Sequence, residues 1–245
     1  MSELSTPSKF TTTINEMLSR PLLAATRLDW EKTIYITFAI LAIISRFVAL
    51  GSRVMSHDES LHTQFSYQFY NGDGYQHTPL MHGPFLFHIT ALTYWLLGAN
   101  DFTARLPVAI LGVILVLMPY FLRNQLGKVG ALFTSFIFLI SPYITYYSRY
   151  IRHDIYVIVW SMIVFIAIWH YFGERKEKYL WWFAGGLALM FSTKEVAFIY
   201  VAIFGSFLVV RLAVQAITAE WFRENLSRLR TPILIMMLAV LLVGG

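Results

Sequence analysis

The sequence predicts an all-α, polytopic membrane protein with about seven transmembrane helices. Of the 245 residues, 57% are hydrophobic and only 13% are charged, and the apolar residues fall in long stretches. Soluble domains rarely combine these properties. Aromatic residues make up 17% of the chain, a proportion suited to the interfacial belts of membrane proteins. The net charge of +5 is explained by basic cytoplasmic loops, so nucleic acid is not an expected partner, whereas membrane lipids are.

Eight apolar stretches follow a polar tail, residues 1–33, that we expect to be cytoplasmic. They are 34–50, 85–99, 106–122, 129–144, 155–172, 179–191, 196–210 and 232–245. A full crossing needs roughly 20 residues, and stretches of 10–14 residues are ambiguous. The first stretch is interpreted as an uncleaved span, because no small-residue cleavage site follows it. We interpret 34–245 as one transmembrane module whose last span is incomplete, as if the module were truncated at the C-terminus.

The doubtful stretch, 85–99, is decided by the positive-inside rule. If it lies in the membrane interface, thirteen of the 19 Lys and Arg fall inside, five fall outside, and Arg46 lies within a span. If it crosses, the count becomes eight inside and ten outside. The rule favours the first arrangement. We therefore expect a multi-pass protein of the cytoplasmic membrane with one or two interfacial helices in an outer loop, residues 51–105.

The outer loop begins with a run of titratable residues, "SHDESLHTQF" at 56–65. Asp58 could cap a helix N-terminus, but Ser56 could do the same, so capping does not explain the run. Adjacent acids beside several histidines could instead supply a general base and metal ligands. The residues alone do not decide which of these groups would be the base and which would be ligands.

The same loop carries apolar residues at helical spacing. Leu61, Phe65 and Phe69 recur every four residues, which predicts a short amphipathic helix lying on the membrane. The turn "NGDG" at 71–74 ends it, because Gly and Asn tolerate positive φ.

Two further clusters fall on the outer side. In "SPYITYYSRYIRHDIY" (141–156), Arg149 and Arg152 lie where basic residues are normally avoided, which indicates an anionic partner such as a phosphate. Asp154 could be a second functional acid or a helix cap. In "STKEVAF" (192–198), Lys194 could join the arginines around a phosphate, whereas Glu195 suits the first turn of a helix.

The order of these motifs resembles that of GT-C membrane glycosyltransferases. An acidic pair after the first span, then "NDFTARLPVAILGVILVL" and "SPYITYYSRYIRHD", is similar to the superfamily of protein O-mannosyltransferases and aminoarabinose transferases over about residues 30–210. The resemblance implies transfer of a sugar from a polyprenyl-phosphate carrier to a protein, lipid or glycan acceptor at the outer membrane face. It matches Asp58 and Asp154 to the two acids of the family, with Asp58 binding the acceptor or acting as base, and it places Arg149 and Arg152 near the lipid phosphate. Glu59, which extends the acidic pair, and His82 are then the candidate metal ligands. Gly83-Pro84 stands where relatives often have Lys-Pro.

The sequence leaves two rival functions and one cofactor open. The chain could be a non-catalytic structural subunit among other membrane subunits, with its outer acids serving as caps and contacts. A transporter or flippase would show paired broken spans or a repeat, and neither is evident. A divalent metal ion is the one cofactor under consideration, since it could stabilise the departing lipid phosphate.

Overall fold

All regular structure is helical within the residues that the computed structural model describes, which are 29–75, 82–220 and 225. The predicted all-α class is therefore confirmed. The predicted span 232–245 and most of the predicted tail, 1–33, lie outside the described residues. A short 3₁₀ helix, Met118–Leu122, joins the helix Asp101–Leu117 to the helix Arg123–Ile140. The described α-helices are α1 Trp30–Phe47, α2 His57–Tyr70, α3 Phe85–Leu97, α4 Asp101–Leu117, α5 Arg123–Ile140, α6 Pro142–Tyr147, α7 Asp154–Glu174, α8 Lys178–Phe191 and α9 Ala197–Thr218.

Several of these helices have the composition of membrane helices. Within the described part of the chain, three helical stretches are long and apolar enough to cross a membrane: Asp101–Ile140, Asp154–Glu174 and Ala197–Thr218. The apolar helix Phe85–Leu97 is shorter. Only 6% of the apolar window of α9 is buried inside the protein. Apolar surface on this scale is stable against lipid and not against water, so the chain is a membrane protein.

The stretch Asp101–Ile140 folds back on itself. A straight helix would hold Val116 and Leu139 roughly 35 Å apart at 1.5 Å per residue, yet both pack around Ala42 of α1. The reversal runs through the 3₁₀ helix and Gly127, whose φ of 72° and ψ of 161° are non-helical. The stretch is thus two antiparallel segments, in agreement with the predicted separate spans 106–122 and 129–144.

The apolar helix α3 begins and ends at the same end of the bundle. Before its first turn, Gly83 N–H donates to the carbonyl of Thr193 in the turn between α8 and α9. After its last turn, the Gly98 carbonyl accepts a 2.7 Å hydrogen bond from the hydroxyl of Thr103 in the first turn of α4. We call this the loop end, where α1 finishes and α4, α7 and α9 begin. A helix with both ends at the loop end does not traverse the bundle.

The helix α2 buries a polar face, which differs from the apolar stripe expected from the sequence. Its buried residues are Glu59, His62, Thr63 and Ser66, whereas Leu61 is 41% exposed. Ser56 and Glu59 form a capping box at its N-terminus, so Asp58 is free of the capping role. Glu59 is satisfied by Arg105 and Ile151 from other elements, whereas Thr63 and Ser66 donate to carbonyls within α2. Apolar periodicity reports neither kind of partner.

Gly83 and Phe85 tie the segment before α3 to the α8–α9 turn. The N–H groups of Gly83 and Phe85 donate to the carbonyls of Thr193 (3.1 Å) and Ser192 (3.0 Å). A Cβ on Gly83 would lie 2.2 Å from the Ser192 carbonyl oxygen, a distance that real Cβ atoms do not show. Only glycine permits this close approach of two backbones.

Candidate functional site

Four of the residues predicted for the site form one ion network at the loop end. Arg152, which precedes α7, lies between two carboxylates, with Nη1 3.6 Å from Asp58 Oδ2 and Nε 3.2 Å from Asp154 Oδ2. The Lys194 ammonium donates to Asp154 Oδ1 at 3.2 Å. Asp58 comes from α2, Asp154 from α7 and Lys194 from the α8–α9 turn. Two acids and two cations from three elements therefore meet in one place.

The two acids of this network differ in access. The Asp58 side chain is 51% exposed, whereas that of Asp154 is 20% exposed. Asp154 Oδ2 is buried and accepts no well-directed hydrogen bond, although Arg152 Nε lies close to it. Asp58 can receive a proton from an incoming hydroxyl group. Asp154 is placed to orient Arg152 and Lys194.

An apolar groove of about 370 Å³ leads away from this network between α7 and α9. Asp154 and Lys194 line its polar end, and Tyr143 and Tyr200 lie along it. Aliphatic side chains form the rest of the wall: Val157, Ile158, Val196, Ile199 and Ile203. A groove with charged residues at one end and apolar walls along its length suits a lipid phosphate, which has a charged group at the end of an apolar chain.

Glu59 forms a separate, fully buried ion pair. Arg105 donates to both carboxylate oxygens, Nε to Oε1 at 2.9 Å and Nη2 to Oε2 at 3.1 Å, and Arg53 Nη2 donates to Oε2 at 2.8 Å. The backbone N–H groups of Ser56 and Ile151 add two further bonds. Burial would raise the pKa of Glu59, but these hydrogen bonds outweigh it and lower the pKa.

The metal role predicted for Glu59 and His82 does not fit these contacts. Five donors already occupy the Glu59 carboxylate, and His82 Nδ1 lies 2.7 Å from Glu195 Oε2. Within 29–75, 82–220 and 225, no group of three or more His, Cys, Asp or Glu side chains is arranged to hold a metal ion. We therefore derive no chemical step through a metal ion.

Three histidines pack together next to the network, and sequence reasoning gave a role to only one of them. The His153 ring lies 5.0 Å from that of His62 and 5.1 Å from that of His82, between centroids. Both His153 nitrogens and His62 Nδ1 are buried without a hydrogen-bond partner. Burial lowers the pKa of His153 to about 2, with smaller effects of His62, His82 and Lys194 in the same direction and of the Gly83 backbone in the opposite one.

The histidine cluster predicts that acid destabilises the fold. Burial, then the neighbouring His82, lowers the pKa of His62 to about 4, against the opposing charge of Asp58. The unfolded chain takes up protons near pH 6.5, while folded His62 and His153 stay neutral, so stability falls as pH drops below about 6.5. The expected slope is about 1.4 kcal/mol per pH unit for each histidine.

Thermal unfolding of the detergent-solubilised chain between pH 7 and pH 5 measures this slope. A His62→Gln variant should show a shallower fall in Tm than the parent over the same interval. Equal Tm values at pH 7 and pH 5 in the parent chain would contradict the argument.

Arg149 lies apart from the other predicted phosphate ligands. Its Nη1 donates to the Ser45 carbonyl at 2.7 Å and its Nη2 to the Ala49 carbonyl at 3.3 Å, at the end of α1. The predicted trio of Arg149, Arg152 and Lys194 is thus divided between two places, although Arg149 and Arg152 are three residues apart in sequence. The break between α6 and α7 turns their side chains toward different helices.

Comparisons with known proteins agree with this architecture. A family model described as dolichyl-phosphate-mannose-protein mannosyltransferase matches residues 81–243, which include Asp154 and Lys194 but not Asp58. The crystal structure of ArnT from Cupriavidus metallidurans in the apo state is similar, with a TM-score of 0.59 and 20% identity. The match covers 82% of this chain and 39% of that one, so this chain spans about two fifths of its length. No curated protein matches the chain.

Proposed function

The chain belongs to the dolichyl-phosphate-mannose-protein mannosyltransferase family, and we propose that it moves a sugar from a polyprenyl-phosphate carrier to an acceptor hydroxyl at the outer membrane face. The observation that carries the proposal is the network of Asp58, Arg152, Asp154 and Lys194 at the head of an apolar groove. It supplies a base, two phosphate ligands and a path for a lipid tail.

The proposed reaction is a displacement at the anomeric carbon of the sugar. The acceptor oxygen forms a bond to that carbon and gives its proton to Asp58, while the bond from the carbon to the phosphate oxygen breaks. The bonding pair leaves with the lipid phosphate. Arg152 and Lys194 stabilise the charge that develops on it, because charge-assisted hydrogen bonds are strong in a poorly hydrated site.

Membrane topology follows from the same proposal. Six crossings are proposed, for α1, α4, α5, α7, α8 and α9, and the predicted span 232–245 lies outside the described residues. Because both ends of α3 are tied to the loop end, α2 and α3 are proposed as interfacial helices of the outer loop. The N-terminus is then cytoplasmic and the site faces outward, as the distribution of Lys and Arg favours.

Consumption of a lipid-linked sugar by the full chain in lipid vesicles, with a membrane extract added to supply acceptor hydroxyl groups, tests the function before the acceptor is identified. Dolichyl-phosphate mannose is the first donor to use, and release of the lipid phosphate is the readout. Lys194→Gln should raise the donor KM about tenfold or more, since a charge-assisted bond to phosphate contributes about 1.5–3 kcal/mol. The matched control is Lys176→Gln, which should leave the donor KM unchanged. Lys176 is exposed and forms an ion pair with Glu174 at the end of the bundle opposite the loop end.

The same preparation distinguishes the rival function. A structural subunit would co-purify with a large membrane assembly and release no lipid phosphate from a panel of polyprenyl-phosphate sugars. That combination would overturn the transferase proposal.

A further inference from the structure

Four arginines surround the C-terminal end of α1 at the loop end: Arg46, Arg53, Arg105 and Arg149. Arg46 is fully buried and donates to the carbonyls of Leu139 (3.1 Å) and Phe138 (3.0 Å). Arg105 donates to the carbonyls of Leu50 and Arg53. Arg149 donates to Ser45 and Ala49, so the arginines share the last turn of α1 and the residues just after it.

The charge of this cluster is not balanced by the residues that the structure describes. Glu59 is the one described carboxylate that forms an ion pair with any of the four arginines, and it pairs with Arg53 and Arg105. Arg46 and Arg149 contact only carbonyl and hydroxyl oxygens. The C-terminal ends of α1 and α5 each offset about half a charge, which leaves a surplus of about two positive charges.

A cavity of about 270 Å³ opens beside this surplus charge. Arg53 and Arg149 line it together with Thr145 and Tyr146, and Leu50 and Pro142 complete the wall. The Arg53 guanidinium lies 5.7 Å from the centre of the Tyr146 ring. A guanidinium carries five N–H donors. Arg53 uses one for Glu59, and Arg149 uses two for the end of α1, so both retain donors for a ligand.

Part of the cavity wall is apolar and exposed. Tyr146, which lines the cavity, is 48% exposed, and Val54, next in sequence to the lining residue Arg53, is 86% exposed. Exposed apolar side chains beside a cationic pocket suit a ligand that brings its own apolar tails. Burial, and then the charges of Arg53 and Arg105, lower the pKa of Arg149, which reflects the crowding of like charges.

We propose that the cavity between the end of α1 and α6 binds the phosphate of an anionic membrane phospholipid, held by Arg53 and Arg149. This site is distinct from the donor site. At the donor site Arg152 and Lys194 face two acids. At the cavity, Arg53 shares the Glu59 carboxylate with Arg105, and Arg149 forms no ion pair with any described carboxylate. The inference does not depend on transferase activity, so it can hold or fail independently of it.

Native mass spectrometry of the detergent-solubilised full chain, titrated with single lipids, tests the proposal. Phosphatidylglycerol should bind at least about tenfold more tightly than phosphatidylcholine, and the Arg53→Gln/Arg149→Gln double variant should lose this preference. Arg123→Gln is the matched control. Its guanidinium also lies over a tyrosine, 4.2 Å from the Tyr120 ring centre, and the preference should persist. Arg53→Gln alone, which keeps the Arg149 bonds to α1, covers the case of an unstable double variant and should weaken the preference.

Four outcomes would overturn the proposal. Phosphatidylcholine binding as tightly as phosphatidylglycerol would remove the anionic requirement. A preference that persists in both the single and the double variant would remove the role of these arginines. Polyprenyl phosphate binding through Arg53 and Arg149 where phosphatidylglycerol does not would assign the cavity to the carrier. Inorganic phosphate displacing phosphatidylglycerol at equal concentration would show a site for the free ion.

Discussion

Replacing Arg105 with methionine is expected to lower the free energy of unfolding by about 3–5 kcal/mol, the usual cost of stranding one partner of a buried ion pair. Arg105 and Glu59 are both fully buried, and without Arg105 the carboxylate keeps only the half-exposed Arg53 as a charged partner. The backbone of Leu50 and Arg53 would also lose its guanidinium contacts. Because proteins are stable by only about 5–15 kcal/mol, this loss is a large part of the total and should lower the Tm markedly.

Thermal unfolding and the yield of monodisperse protein in detergent measure this effect. The double variant Glu59→Leu/Arg105→Met should recover part of the loss, since no buried charge is then unpaired. Arg53 also loses Glu59, but its side chain is 45% exposed and reaches water. Arg123→Gln is the control for loss of an arginine outside a buried pair. A Tm for Arg105→Met equal to that of the parent would show that the Glu59 pair does not hold the outer loop in place.

Replacing Asp58 with asparagine is expected to reduce turnover of the lipid-linked donor by about 10²–10⁴-fold, the range contributed by a general base. Asparagine keeps the shape of the side chain and loses the ability to take a proton. Because Asp58 is half-exposed and lies 3.6 Å from Arg152, its removal should change the Tm little. The loss should fall on kcat, whereas Lys194→Gln should act on the donor KM.

The matched control is Asp73→Asn, which removes another carboxylate from the same loop, in the turn after α2. It should retain the turnover of the parent chain. Asp58→Glu keeps a carboxylate at a longer reach and should recover part of the rate. Full turnover in Asp58→Asn would exclude Asp58 as the base and leave the acceptor to be activated by another group.

The sequence alone could predict the helical class and the four members of the ion network. The length of the apolar stretches and the presence of charged residues in segments predicted to be outside are signals that can be read locally. The contact between Glu59 and Arg105 could not be predicted. The two residues are 46 positions apart in sequence, and the periodicity of apolar residues does not show that either charged side chain is buried. The same holds for His153, whose isolation from hydrogen-bond partners is a product of packing. The sequence did contain one signal. Arg105 is one of only five basic residues predicted to lie outside, and its ion pair with the buried Glu59 accounts for that unusual position.

The separation of Arg149 from Arg152 shows the converse: residues that are close in sequence need not be close in the structure. Neighbours in sequence were predicted to act together, but the end of α6 and the start of α7 direct them to different helices. Spacing predicts a shared face only within one continuous helix. Pro142 starts α6, and the helix ends at Tyr147, before either arginine.

The backbone bonds from Gly83 and Phe85 to Ser192 and Thr193 have a consequence for biosynthesis. Chains are made from the N-terminus, so Asp58 emerges from the ribosome long before Lys194 does. The segment that precedes α3 finds its anchor only when the α8–α9 turn has been inserted into the bilayer. In a nascent chain the ion network is therefore incomplete, and the proposed phosphate site is formed late, after most of the described helices are in place.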